Sequence, residues 1–385
     1  MKNSLEIIYK GVRKIKIETY VKSESLLKKI KNKINTIIFY WKMQYSIYIN
    51  RSNRVKKIKE QLSKKKEKYV AICHPEWIGV KNSTKYTFED NILEIREQYT
   101  KKESQMIAKE IVNSGKELVI FNAFAVGWEN IINSLKEIKP EIKIKLLIHG
   151  GNALLYEFYD WNVNNKILNL YEENKIDEIG FVKKSLYEFY KAKGYKASFL
   201  MNDVIIEDKE KYVSLKCEDN YVKIGLYASG DRWVKNTYNQ LSAASMVKNA
   251  RLDCIPINEK IKILAQRYDI ELTGEETSIP KEELYKRISN NDINLYVTFT
   301  ECAPLIPLES LELGTICITG DNHHYFTGTE LEKYLVVTRE DDIIEIYNKI
   351  IYALENKDKI LKLYKEWKKE YTKQAKESVK KFLEM

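Results

Sequence analysis

Glu301 and Glu309 stand with seven residues between them in Thr300-Glu-Cys-Ala-Pro-Leu-Ile-Pro-Leu-Glu-Ser-Leu-Glu-Leu-Gly314. An ionised carboxylate accepts hydrogen bonds and donates none, so such a pair can grip a ligand rich in hydroxyl groups. The chain has only four histidines, His74, His149, His323 and His324, and each falls just after a predicted strand rather than in a predicted helix or core. His149 closes Leu146-Leu-Ile-His-Gly-Gly151, where two glycines let backbone approach a ligand closely. The competing reading for each histidine is an ordinary polar loop, and it is slightly favoured for His323 and His324 in Gly320-Asp-Asn-His-His-Tyr-Phe326. No carboxylates stand near that pair at metal-ligand spacing. Glu312 reads as a solvated helix residue.

The elements around the carboxylates follow from pattern. Ile293 to Phe299 is β-branched and aromatic and predicts a buried strand, Pro307 suits the first turn of a short helix that Gly314 ends, and Thr315 to Thr319 predicts the next strand. Strand, loop, helix and strand make a parallel α/β unit, whose ligands bind outside the carboxyl ends of the strands. Earlier strands are expected at 69–73, 118–121, 144–148, 178–182 and 198–201, with a loop from His74 to Thr84 and helices over 104–112, 128–138 and 185–193 and around Leu154 and Leu168. A second set is expected at 221–227, 252–255, 293–299, 315–319 and 334–337, with helices at 237–248, 259–267, 281–288 and 341–354. The expectation is an α/β fold of two Rossmann-like domains facing across a cleft, with a basic helical N-terminal arm. Its divisions are an arm at 1–68, a first domain at 69–203, a linker at 204–220, a second domain at 221–356 and a final lysine-rich helix at 357–385 that packs back on the first domain.

A chain of 385 residues with 44% hydrophobic content has material for two or three cores and is not a disordered polyelectrolyte. Its five cysteines form no CxxC pair and suggest neither a disulfide framework nor a zinc site, which fits a reducing cytosol. No signal peptide is expected, because charges interrupt the start every few residues. The net charge of +10 is uneven: Met1 to Lys68 holds twenty Lys and Arg against five Glu, a net of +15, so the rest carries −5. Within the arm Ile30, Ile34, Ile37, Ile38 and Trp41 recur at helical spacing between lysines. Three readings stay open: an anionic membrane surface as partner, an oligomerisation helix, or a docking extension with a solvated face. Nucleic acid is not expected as a partner, since arginines are few and no recognition module is present.

The order Ile148-His-Gly-Gly151, Ile179-Gly-Phe-Val-Lys-Lys-Ser185, Met201-Asn-Asp-Val204, the strand opening the second domain and then Glu-x7-Glu resembles the GT-B retaining glycosyltransferases of the family 4 type. The resemblance runs from Tyr69 to the C-terminus. It implies that His149 lines the site of the transferred sugar, that Glu301 holds that sugar's hydroxyls and that Glu309 contacts the nucleotide ribose. Arg232 and Lys235, in Ser229-Gly-Asp-Arg-Trp-Val-Lys-Asn236, resemble the pair that clamps the donor pyrophosphate, and Ala303 and Leu305 join the donor site. Trp77, Gly79, Lys81, Asn82 and Ser83, with His323 and His324, are expected near acceptor or donor. No cofactor or metal is expected: there is no Asp-x-Asp motif, and N–H groups after Pro304 can compensate a diphosphate. The chain departs from the family where Cys302-Ala303-Pro304 follows the first Glu in place of a glycine, where Arg232 and Lys235 stand closer together than is usual, and where the glycine-rich loop after the first strand is reduced to Gly79.

The implied function is retaining transfer from a nucleotide sugar to a glycan, glycolipid or protein acceptor, as in bacterial surface polysaccharide biosynthesis, in the cytoplasm or at the inner face of the membrane. In such transfer the leaving diphosphate itself takes the acceptor proton. Two alternatives stay open: a GT-B-like sugar-nucleotide epimerase or glycan phosphorylase, and a non-catalytic partner subunit.

Overall fold

The computed structural model describes residues 34, 38, 41, 42, 53–97, 99–213, 220–228 and 232–384. Met1–Lys57 and Ile58–Met385 form two compact units. In the first, Ile34, Ile38 and Trp41 are helical, and their side chains are 50%, 46% and 71% exposed. The rest of the proposed apolar stripe, Ile30 and Ile37 included, lies outside the described residues, as do Cys217 and the stretch 229–231.

In the second unit, strands β1 (Tyr69–Cys73), β2 (Ile92–Glu94), β3 (Leu118–Asn122), β4 (Lys143–Ile148), β5 (Glu178–Phe181) and β6 (Ala197–Phe199) form one parallel sheet in the order β2-β1-β3-β4-β5-β6. A second parallel sheet has the order β12-β11-β10-β7-β8-β9, built from β7 (Val222–Tyr227), β8 (Ala250–Ile255), β9 (Glu271–Gly274), β10 (Ile293–Tyr296), β11 (Ile316–Gly320) and β12 (Val336–Val337). Both faces of these sheets are covered, which is why β3 and β11 are buried along their whole length and read as unbroken apolar runs rather than alternating ones. In the second sheet the strand order reverses between β7 and β10, which pair through Ile224 and Ile293. A crevice at the carboxyl ends of such a pair is where open α/β sheets take ligands.

The helices are α1 (residues 53–62), α2 (Ile78–Phe88), α3 (Lys101–Asn113), α4 (Trp128–Ile138), α5 (Phe158–Glu172), α6 (Lys184–Ala192), α7 (Thr237–Ser245), α8 (Glu259–Arg267), α9 (Lys281–Asn290), α10 (Leu305–Glu312), α11 (Glu330–Leu335), α12 (Ile343–Glu355) and α13 (Lys357–Leu383). Among the described residues no helix is long and apolar enough to cross a membrane. Helix α13 joins the two sheets. Its Ile360, Tyr364, Tyr371 and Ala375 belong to the core around the second sheet, whereas Phe382 packs with Leu118, Leu147 and Val182 of the first. The Lys145 ammonium at the first sheet fixes the end of that helix by donating to the Phe382 and Glu384 carbonyls, each at 2.7 Å.

Several expectations are corrected. The loop expected from His74 to Thr84 is mostly helix α2: despite weak helix formers, burial of Ser83, Thr84 and Phe88 on one face holds it. Residues 334–337 are not one strand, because Leu331, Tyr334 and Leu335 bury a helical face in α11 and only Val336–Val337 pairs with β11. The helix expected around Leu154 is a 3₁₀ turn over Asn152–Tyr156. The short edge strands β2 and β9, of three and four residues, carry too few apolar positions to stand out in the sequence.

Candidate active site

The loop leaving β10 carries Glu301 directly over the point where the second sheet reverses. Its backbone is knitted to the neighbouring loop: the Phe299 N–H donates to the Val234 carbonyl at 2.9 Å, and the Gln240 side chain accepts from the Val297 N–H at 2.7 Å. Asn236 reaches the Val297 carbonyl at 3.0 Å. These bonds bring Lys235 against Glu301 as an ion pair, with side chains 10% and 18% exposed. Tyr296, at the end of β10, completes the cluster: Lys235 Nζ donates to its hydroxyl at 3.0 Å and the hydroxyl donates to Glu301 Oε1 at 3.0 Å. Burial, and next the neighbouring Glu301 charge, push the Tyr296 pKa well up, so the phenol stays a donor. The carboxylate is thus fixed by one cation and one phenol while still part-exposed.

The loop after β4 of the first sheet carries His149 and its two glycines, of which Gly151 lies against the Glu301 loop. A Cβ at Gly151 would stand 3.4 Å from Thr300 Oγ1 and 3.8 Å from Cys302 Sγ, ordinary van der Waals distances, so the Glu301 loop lies close against this backbone. Asn122 gives its amide N–H to Thr84 and accepts from His149 Nε2 at 2.7 Å, which places the imidazole proton on Nε2. Burial lowers the His149 pKa to about 4, so the ring is neutral at physiological pH. Lys183, at the end of β5, spans the cleft: its Nζ donates to the Glu301 and Asn322 carbonyls, both at 2.7 Å. The Cys302 thiol is buried, which pushes its pKa up to about 12, and it packs with Ala71 and Leu147 of the first sheet and Phe88 of α2.

Three structural neighbours share this architecture. An Escherichia coli trehalose-6-phosphate structure bound with UDP-2-fluoro glucose superimposes with a TM-score of 0.58, covering 82% of this chain and 98% of its own at 9% identity. An α,α-trehalose-phosphate synthase (UDP-forming) from Burkholderia xenovorans in complex with glucose-6-phosphate gives 0.51, with 80% and 84% coverage at 9% identity. The sucrose-phosphate synthase of Thermosynechococcus elongatus gives 0.50, with 75% and 78% coverage at 14% identity. The chain has the GT-B fold. No protein-family model matches the sequence, and no curated protein matches it.

The remaining expected site residues distribute unevenly around the GT-B cleft. Arg232 is drawn to the first sheet's side, where its guanidinium meets Glu157 at 2.6 Å. Glu309, in α10, is almost wholly buried: it accepts from the Tyr285 hydroxyl at 3.0 Å and pairs with Lys281 at 3.5 Å. Burial raises its pKa, opposed by Lys281. Tyr86 of α2 bonds the Tyr285 hydroxyl at 2.8 Å and links that cluster to the first sheet. Ala303 and Leu305 are half-buried beside Glu301. Because Pro304 and Pro307 lack N–H groups, Leu305 and Ile306 are the first-turn donors of α10.

Trp77 stacks on His74 at 4.7 Å, Lys81 pairs with Glu94 at 2.6 Å, and Ser83 donates to Asn202 at 3.0 Å. Gly79 is exposed and Asn82 half-buried, both on α2 rather than on a loop. The histidines are not all loop residues free of the core. His74 and His323 are buried, one paired with Glu97 and the other hydrogen-bonded between Thr319 and the Tyr325 N–H. Glu312 is not a solvated residue, since it accepts from the Tyr364 hydroxyl at 2.9 Å. Sequence reasoning missed Tyr296 and Lys183. Each is the residue at or just past a strand's carboxyl end, and that position was the available signal. Among the described residues no group of three His, Cys, Asp or Glu is placed to hold a metal ion.

Proposed function

We propose that the chain transfers a glycosyl unit from a nucleotide sugar to a hydroxyl-bearing acceptor with retention of configuration. The observation that carries this reading is the part-exposed Glu301 carboxylate, fixed by Lys235 and Tyr296 at the sheet's reversal point, with the Gly151 backbone of the first sheet close against its loop. Glu301 accepts hydroxyls of the transferred sugar. His149 contacts the same sugar from the other side. Lys235, Arg232 and the Leu305 and Ile306 N–H groups neutralise the diphosphate, which leaves with the acceptor's proton. Arg232 exchanges Glu157 for phosphate when the donor enters, and Glu309 holds the ribose by giving up its Lys281 contact. The donor to test first is a UDP-sugar, since two of the neighbours are described with UDP-2-fluoro glucose or as UDP-forming. The acceptor is a glycan, glycolipid or protein of the bacterial surface, reached from the cytoplasm or from the inner face of the membrane through the basic arm.

A panel of UDP-, GDP-, TDP- and CMP-sugars read by ligand-observed NMR tests this function. Binding of one of them in the micromolar to millimolar range is expected. Failure of all to bind would remove the transferase reading and leave the non-catalytic partner.

A further inference from the structure

A second cavity, of about 930 Å³, lies beyond Lys183 from the Glu301 cluster, between the start of α6, the loop after β11 and the middle of α13. One wall is aromatic. Trp367 stacks on Tyr371 with centroids 4.4 Å apart, and Phe326 tilts against Trp367 at 4.9 Å. The rim is polar and comes from exposed positions, Ser185 and Glu188 on α6 and Glu370 and Gln374 on α13.

Two acceptors among the lining residues have no hydrogen-bond partner among the described residues, Asn322 Oδ1 and His324 Nδ1. The His324 lone pair follows from its neighbours. The Tyr371 hydroxyl donates to the Asn202 carbonyl at 2.8 Å, so it accepts from His324 Nε2–H at 3.0 Å, and Nδ1 is left as the acceptor. Asn322 spends its amide N–H groups on the Thr298 carbonyl and on Glu340, leaving its oxygen. Buried acceptors of this kind normally have partners, and a donor entering from the cavity would satisfy them with a small shift of the loop after β11, since neither atom is itself open to solvent. The charges at the cavity disfavour an anion: Glu188, Asp321 and Glu370 outnumber Lys183 and Lys184, and the Lys183 ammonium is already held by two carbonyls.

An aromatic wall, amide and carboxylate groups at the rim, unpartnered acceptors and a local negative balance together describe a ligand with apolar C–H faces and many hydroxyl donors but no negative charge. We propose that this cavity is a second carbohydrate site, which takes a neutral saccharide independently of the donor position at Glu301. It goes beyond the transferase reading, because occupancy requires neither nucleotide nor turnover. Lys183 lines this cavity and holds the Glu301 carbonyl, so a saccharide here also touches the support of the transfer site.

The test is a nucleotide-free titration of the full chain with maltose, cellobiose, lactose, mannobiose and chitobiose, read by saturation-transfer NMR and tryptophan fluorescence. At least one is expected to bind, to keep its affinity in Glu301→Gln, and to lose fivefold or more in the double variant Glu370→Ala/Gln374→Ala, whose side chains are exposed and leave the core intact. His324→Leu should weaken it as well; if that variant fails to fold, the α13 double variant decides. Four results would overturn the proposal: no binding by any of the five, unchanged affinity in the double variant, loss in Glu301→Gln, or tighter binding of glucose-6-phosphate than of the neutral sugars.

Discussion

Replacing Lys183 with Met keeps the length and apolar stem of the side chain and removes an ammonium that reaches across the cleft. That Nζ makes two hydrogen bonds of 2.7 Å, to the carbonyls of Glu301 and Asn322, which belong to loops of the opposite sheet. Removing a charged donor from a hydrogen bond costs roughly 1.5–3 kcal/mol per bond when the acceptor stays dry. Lys183 is only half-buried, so water will re-solvate part of the freed carbonyls and the lower end applies. The sum expected for Lys183→Met is therefore about 2–3 kcal/mol, measured as the difference in unfolding free energy from urea titrations of wild type and variant. Since the Glu301 backbone is also released, donor affinity should fall about tenfold, equivalent to about 1.4 kcal/mol. A stability change below about 0.5 kcal/mol, the scatter of ordinary surface substitutions, with donor affinity intact would show that the strap carries nothing.

The histidines make the protein acid-sensitive in a defined window. Burial holds His149 near pKa 4 and His323 and His324 near 3, against 6.5 in the unfolded chain, so the unfolded state binds more protons between those values. Stability is full above about pH 6.5 and is lost as pH falls toward 4; His149→Gln should flatten that slope by up to about 1.4 kcal/mol per pH unit in urea titrations at several pH values, and an unchanged slope would refute the assignment. At Gly225 an added Cβ would lie 2.1 Å from Asn294 Oδ1 and 2.3 Å from Asn291 Nδ2, inside a buried amide network beneath the site. Gly225→Ala is expected to cost about 2–3 kcal/mol by the same titration, and a neutral effect would mean the network relaxes freely.

Much of the fold was legible because parallel strands buried on both faces leave apolar runs such as Leu118–Asn122 and Ile316–Gly320 that stand out between polar loops. The Glu301 loop was legible for the same reason, being bracketed by two such runs. What the sequence hides is how the residues pair. Nothing in the spacing of Arg232 and Lys235 distinguishes the one that reaches Glu157 from the one that buries itself on Glu301. Helix α2 was hidden because its residues are poor helix formers held by tertiary burial. Lys183 looked like one lysine among many, since its partners are backbone carbonyls 118 and 139 residues away, which no local pattern can announce. The histidines misled in the opposite direction. Their positions after strands are real, but at His74 and His323 the chain folds the ring inward and satisfies it there.

The central claim is that the Glu301 carboxylate accepts hydroxyls of the transferred sugar, and calorimetric titration of the selected nucleotide sugar into wild type and Glu301→Gln tests it most directly. Loss of two charge-assisted hydrogen bonds at roughly 1.5 kcal/mol each predicts binding weaker by about 100-fold. The nucleoside diphosphate alone should bind the variant no more weakly than wild type, because Lys235, relieved of its Glu301 partner, still meets the diphosphate. Equal affinity of the two proteins for the intact nucleotide sugar would contradict the account.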